Sequence, residues 1–159
     1  MSIHNFSWVI ADKLAGSALP GGMHSNRVEY IISDLEEYYE RGVRCLVSLE
    51  SVNSSISLLC EKTGLVWIYF PVDNFNIPHD REAFSRLVDS LIDYIENERP
   101  VCVHCYAGIG RTGLVLSCIV GKYLLLDAGN AIKTVRKFRP ALDTDVQEQF
   151  VYDFLNQSI

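Results

Sequence analysis

Val101-Cys-Val-His-Cys-Tyr-Ala-Gly-Ile-Gly-Arg-Thr-Gly113 is the stretch on which the reading of this chain turns. It opens as a short apolar run of strand type and passes through Gly108 and Gly110. It then enters residues 112–126, which are nearly all apolar and too long for a strand, so they read as a buried helix. A strand that turns through glycines into a helix aims successive backbone N–H groups and a helix N-terminus at one point, and such a point binds an anion. Cys105 stands at the strand end, where that positive potential favours its thiolate. Arg111, six residues on, carries a planar fork that can grip two phosphate oxygens. Between them Tyr106, Ala107, Gly108, Ile109 and Gly110 supply the backbone that surrounds the phosphate. Thr112 is placed to hydrogen-bond the sulfur and steady it as a leaving group, and His104 to support the loop from behind. Each residue alone has a plainer meaning, a small buried cysteine or an ordinary surface arginine. The joint spacing carries the argument.

A rival reading comes from the same residues, since Gly108-Ile-Gly-Arg-Thr-Gly113 matches the G-x-G-x-x-G dinucleotide pattern. That pattern needs an acidic residue about twenty positions on, at the end of a second strand. Here Ile132, Lys133 and Thr134 lie in a helical pattern instead, and no Gly-Lys-Ser/Thr signature of a nucleoside triphosphatase occurs.

Outward from the loop, residues 6–10, 44–49 and 65–70 read as further strands. Residues 26–41, 56–62, 80–98, 128–138 and 145–156 read as helices from their one-face apolar spacing. Strands separated by helices predict an α/β fold, a mostly parallel central sheet of about five strands flanked by helices. With 159 residues, 48% of them hydrophobic, the chain reads as one domain over residues 1–159. A net charge of −6 argues against nucleic acid as a partner. Five cysteines without framework spacing point to a reducing compartment, with Cys102 and Cys118 as structural thiols rather than disulfide partners. Met1-Ser-Ile-His-Asn5 lacks a basic flank followed by an apolar core, and no run suits a membrane span, so a cytoplasmic or nuclear location is expected.

His104-Cys-Tyr-Ala-Gly-Ile-Gly-Arg-Thr-Gly113 resembles the phosphate-binding loop of protein tyrosine phosphatases, and the short chain is similar to their small atypical dual-specificity branch. Asn5-Phe-Ser-Trp-Val-Ile10, Leu14-Ala-Gly-Ser-Ala-Leu-Pro20 and Gly42-Val-Arg-Cys-Leu-Val-Ser-Leu49 resemble opening segments of the VHZ-type members. Arg139-Pro140 followed by Thr144 and Gln147 resembles the family's Arg-Pro…Thr-x-x-Gln segment beside the active site. The resemblance covers most of residues 5 to 150. It implies a protein tyrosine phosphatase-like fold and a two-step reaction. Cys105 attacks phosphorus to form a cysteinyl phosphate, and water then hydrolyses it, with no metal and no cofactor. It implies a phosphorylated protein or peptide as substrate; charge and hydropathy add no nucleic acid and no membrane partner, and the sequence leaves the oligomeric state open, with a monomer as the expectation. Arg139 and Gln147 become supporting residues. Gln147 either positions water or is a solvent-facing helix residue.

The proton donor is where the sequence departs from the family pattern Pro-x-x-Asp-Phe-x-x-Pro. In Pro71-Val-Asp-Asn-Phe-Asn-Ile-Pro78 the acid's place is taken by Asn74, and Asp73 stands one residue early. Asparagine cannot deliver a proton, so either Asp73, the candidate general acid beside Asn74, reaches the site through a loop adjustment, or the enzyme works without a strong acid. A weak acid matters least for phenolic leaving groups, which predicts a preference for phosphotyrosine over phosphoserine and phosphothreonine. The loop has no lysine, which argues against inositol lipids. Lys133, Arg136 and Lys137 form a solvated helix face or a path that steers acidic peptides. Two other readings stand beside the protein phosphatase: a phosphate-recognising module without turnover, for which Asn74 speaks, and a phosphatase of a non-protein phosphomonoester.

Overall fold

The computed structural model describes residues 3–156; Met1 and Ser2, part of the stretch read for a leader, lie outside them. Five strands form one sheet in the order β1-β2-β5-β3-β4, with β1 Ser7–Ile10, β2 Leu14–Ser17, β3 Cys45–Ser48, β4 Val66–Tyr69 and β5 Val101–His104. The helices are α1 Val28–Glu40, α2 Ile56–Thr63, α3 Arg81–Glu96, α4 Gly110–Leu124, α5 Ala128–Arg136 and α6 Asp145–Asn156. β2, β5, β3 and β4 are parallel and β1 is antiparallel to β2, so the expected mostly parallel sheet carries one antiparallel edge. The fifth strand was not visible as a pattern. Leu14-Ala-Gly-Ser17 is four residues long and includes Gly16, where a Cβ would lie 2.8 Å from Leu116 Cδ1 and 3.0 Å from the Arg139 guanidinium carbon. Glycine is there for close approach, and its lack of a side chain erased the strand signal.

β5 is the central strand, buried along its whole length, and its last residue pairs with Ser17 on one side and Ser48 on the other. The loop that follows therefore leaves the carboxyl ends of the parallel strands, where ligand sites form in such sheets. Alternation along β5 sends Val101 and Val103 into the layer built with α3, α4 and α6, around Phe84, Leu116 and Phe150. Cys102 faces the opposite layer, with Ile31, Leu35 and Cys60 of α1 and α2. Cys102 and Cys118 thus lie on different faces of the sheet, and all five cysteines are unpaired. Burial pushes the Cys45, Cys60 and Cys102 thiols up to about 12 and Cys118 also well upward, which keeps them unreactive. Among the described residues no single helix is long and apolar enough to cross a membrane.

α4 begins at Gly110, two residues earlier than the apolar pattern indicates, so Gly110 and Arg111 form its first turn. Its near-total burial explains the all-round apolar sequence. At Gly113 a Cβ would meet Ala141 Cβ at 2.6 Å and the Leu142 nitrogen at 2.8 Å, so the helix packs directly on the segment that leads to α6. Gly113→Ala is expected to destabilise the fold by about 1–3 kcal/mol through overpacking and to displace the turn at Asp143. Urea denaturation checks this; a variant of unchanged midpoint would show that the segment yields freely.

Candidate active site

Five consecutive carbonyls of the loop after β5 are held from outside. Cys105 O accepts from His104 Nδ1 at 3.0 Å, Tyr106 O from Leu19 N at 3.0 Å, and Ala107 O from Asn5 Nδ2 at 3.1 Å. Gly108 O accepts from Arg139 Nη2 at 2.6 Å, and Ile109 O from Gly113 N at 2.9 Å and Leu142 N at 3.1 Å. With the carbonyls taken outward, the N–H groups of the same peptides face the other way, an arrangement that can receive an anion. The Gly108 N–H points at Cys105 Sγ, 3.3 Å away. Gly108 reaches this geometry at φ 80°, and a Cβ there would stand 2.4 Å from Ser17 O, so only glycine serves.

His104 sits behind the loop, fully buried, and its tautomer follows from its partners. The Cys105 carbonyl can only accept, so Nδ1 carries the proton; Nε2 then accepts from Ser48 Oγ at 2.6 Å. Ser48 Oγ in turn accepts from Trp67 Nε1 at 2.8 Å. Every polar atom of the relay is satisfied by a neutral imidazole, and burial lowers the His104 pKa to about 4.

Arg111 is buried. Its Nη1 donates to Glu50 Oε1 and to the Val72 carbonyl, each at 2.8 Å, while Nε and Nη2 have no protein acceptor among the described residues. Glu50 was not singled out in the sequence. Its only signal is an acidic side chain directly after the apolar run of β3, on the edge where the loop emerges. A cleft of about 160 Å³ opens over Cys105 and Arg111, walled by Asn74, Phe75, Tyr106, Ile109 and Asp143.

The structure sets the candidate acid apart from the cleft. Asp73 does not line the cleft; its carboxylate is 80% exposed and lies 3.6 Å from His79 Nε2. A turn closed by Asn76 N on Asp73 O, with Phe75 at φ 60°, carries Asn74 and Phe75 to the site and leaves Asp73 outside. The carboxylate present is Asp143, whose Oδ2 would be 2.1 Å from a Cβ on Gly110. Gln147 is fully buried rather than solvent-facing. Its Oε1 accepts from Asp143 N at 2.8 Å and its Nε2 donates to Asn76 O at 3.1 Å, so both ends of the carboxamide hold site loops. The expected bond from Thr112 to the sulfur is not made: Oγ1 is buried and has no partner among the described residues, and Cys105 Sγ takes the Gly108 N–H instead. Arg136 binds Ala141 O through Nε and Nη2, at 3.0 and 2.9 Å, which accounts for one cation of the basic run.

A neutral buried His104 makes folding pH-dependent. Its folded pKa of about 4 lies below the ordinary 6.5, so between these values the unfolded chain binds the extra proton and stability is lost as pH falls from about 6.5 towards 4. The loss expected from this group is about 2 kcal/mol by pH 5, read from urea midpoints, with the His104 ring resonances unmoved from pH 7 to about 5.5. A ring that titrates near 6.5 would contradict the relay.

The sequence profile of the polymorphic toxin system DSP-PTPase phosphatases matches residues 21–123. The chain is 39% identical over 66 residues to the dual specificity protein phosphatase CDC14C of Symphalangus syndactylus, across 41% of this chain and 14% of that protein. Among the first curated relatives the chain spans between 14% and 61% of their lengths. The crystal structure of Tk-PTP in the active form superimposes with a TM-score of 0.80 at 23% identity, over 98% of each chain. Kinase associated phosphatase, in a form with its catalytic-site cysteine changed to serine, superimposes at 0.77 with 20% identity, over 99% of this chain and 96% of that one. The match across residues 21–123, the shared fold and the Cys105 to Arg111 loop converge on one assignment: the chain belongs to the DSP-PTPase family of cysteine-based phosphatases.

Proposed function

We propose that this protein hydrolyses phosphotyrosine in proteins through a cysteinyl-phosphate intermediate on Cys105. The observation that carries the reading is the nest of residues 105–110, with a thiol at its floor and the free Nε and Nη2 of Arg111 at its side. In the first step the Cys105 thiolate forms an S–P bond while the ester P–O bond breaks, its electron pair going to the leaving oxygen. Asp143, the carboxyl group in the cleft, gives that oxygen its proton. In the second step water attacks phosphorus, the P–S bond breaks and Cys105 leaves as thiolate. The Asp143 carboxylate takes the water's proton, and inorganic phosphate departs. Arg111 and the loop N–H groups hold the three non-bridging oxygens throughout, with Glu50 and the Val72 carbonyl fixing the plane of the guanidinium. Thr112 keeps its candidate role at the thiolate, its hydroxyl having no partner among the described residues.

Several features support an aryl phosphate on a polypeptide. Phe75 and Tyr106, 60% and 62% exposed, stand at the cleft as aromatic walls for a ring. The loop has no lysine to neutralise a second phosphate. A phenolate is also a modest demand on a single acid. The likeness to VHZ-type enzymes belongs to the same reading.

A second reading, a phosphate-binding module without turnover, draws on Asn74 in the family's acid position. Aryl phosphate turnover that disappears in Cys105→Ser decides for the enzyme; phosphopeptide binding without turnover decides against it. For the acid, Asp143→Asn is expected to lower kcat by about a hundredfold with leaving groups of high pKa and much less with nitrophenol, while Asp73→Asn stays within about threefold. A steep leaving-group dependence in Asp73→Asn with none in Asp143→Asn would reverse the assignment.

A further inference from the structure

On the face of the sheet away from α4, α1 and α2 leave a groove of about 420 Å³ between them. Ile32 and Leu59 line it with half-buried apolar surface. Tyr39 joins them, 40% exposed yet fixed in place. The Arg44 guanidinium carbon lies 3.6 Å from the centre of its ring, Arg44 Nη1 donates to the Tyr39 carbonyl at 2.9 Å, and a Cβ on Gly64 would stand 3.0 Å from Tyr39 Cε2. An exposed ring that is already held still loses little freedom when something docks against it.

The charges in the groove are uncompensated. Glu36 and Glu40, one turn apart on α1, both line it, and neither forms an ion pair among the described residues. Like charges at this spacing weaken a helix. The adjacent row of α1 is compensated, since Glu37 and Arg41 are bridged at 2.6 Å. Lys62 of α2 also lines the groove but lies outside ion-pair distance of either carboxylate, and one lysine against two glutamates leaves the groove negative. Carboxylates beside apolar surface and a fixed aromatic ring complement a side chain with an aliphatic stem and a cationic head, the build of arginine and lysine. The cleft over Cys105 encloses only about 160 Å³, so contacts with more than the phosphorylated side chain of a polypeptide have to be made elsewhere.

We propose that the groove between α1 and α2 docks a basic segment of the phosphorylated protein substrate, taking an arginine or lysine with its stem along Ile32 and Leu59 and its head at Glu36 and Glu40. The inference rests on the reading of this chain as a protein phosphatase. None of these residues belongs to the phosphate loop, so docking and chemistry are separable.

Two phosphotyrosine peptides test it, one plain and one joined to an arginine- and leucine-rich segment by a flexible linker of about twenty residues, which reaches roughly 25 Å. In wild type the joined segment is expected to lower KM about tenfold with kcat unchanged, and in Glu36→Gln/Glu40→Gln that gain disappears while nitrophenyl phosphate turnover stays within about twofold. Glu82→Gln/Glu96→Gln, which removes the same charge from α3, keeps the gain. Loss of the gain in both double variants would reduce the effect to bulk charge, and its persistence in Glu36→Gln/Glu40→Gln would exclude the groove; either overturns the proposal. Because the substitutions remove a repulsion, Glu36→Gln/Glu40→Gln is expected to melt no lower than wild type; a clearly lower melting temperature would show that the carboxylates serve the fold and would also count against docking. Sedimentation that finds a wild-type dimer, dissociated in Glu36→Gln/Glu40→Gln, would assign the groove to a second copy instead. Absence of turnover in wild type would sink the phosphatase reading alone, since binding of the fluorescein-labelled arginine- and leucine-rich segment, followed by anisotropy on the Cys105→Ser chain with and without Glu36→Gln/Glu40→Gln, still judges the groove.

Discussion

The outward capture of the carbonyls from Cys105 to Ile109 is the constraint around which this molecule is organised. A peptide chain can present a cluster of N–H groups to an anion only if the matching carbonyls are occupied elsewhere. The occupants are drawn from several parts of the fold. Asn5 precedes β1, Leu19 follows β2, His104 ends β5, and Arg139 and Leu142 lie between α5 and α6. The central place of β5 in the sheet makes that convergence possible, because its neighbours β2 and β3 end level with it on either side.

The same convergence leaves a stability burden at the site. His104 is held neutral, Arg111 and Arg139 are buried as cations, and Thr112 Oγ1, Ser117 Oγ and Arg139 Nε have no partner among the described residues. Each unsatisfied polar atom or isolated charge costs stability that a wholly apolar core would keep. The layers on both faces of the sheet, with Phe84, Phe150 and Leu116 on one side and Tyr38, Leu35 and Ile31 on the other, supply the burial that offsets it. Of the atoms without a partner among the described residues, those of Thr112 and Arg139 belong to residues beside the loop of residues 105–110.

Much of this was legible in the sequence because it is local. Strand, glycine turn and apolar helix follow one another within residues 101–126, and Cys105 and Arg111 sit in that run. The helices were readable from their apolar spacing, with ends set by Gly42, Gly64 and the Asp80 cap. What escaped depends on side-chain aim or on distant packing. β2 was hidden because Gly16 makes room for Arg139. The outward place of Asp73 was not legible because sequence spacing does not register that Phe75, a non-glycine residue, takes a left-handed conformation. Glu50 and Asp143 meet the loop only through the tertiary fold, and Gln147 is buried on a helix where the preceding Asp145 and Val146 are exposed.

Acid-quenched rapid-mixing with an aryl phosphate, followed by peptide mass spectrometry, tests the central claim most directly. The account predicts a phosphorylated peptide with the phosphate on Cys105, formed before steady-state phosphate release and absent in Cys105→Ser. Steady turnover in which no phosphocysteine accumulates or can be trapped, or which persists in Cys105→Ser, would contradict it.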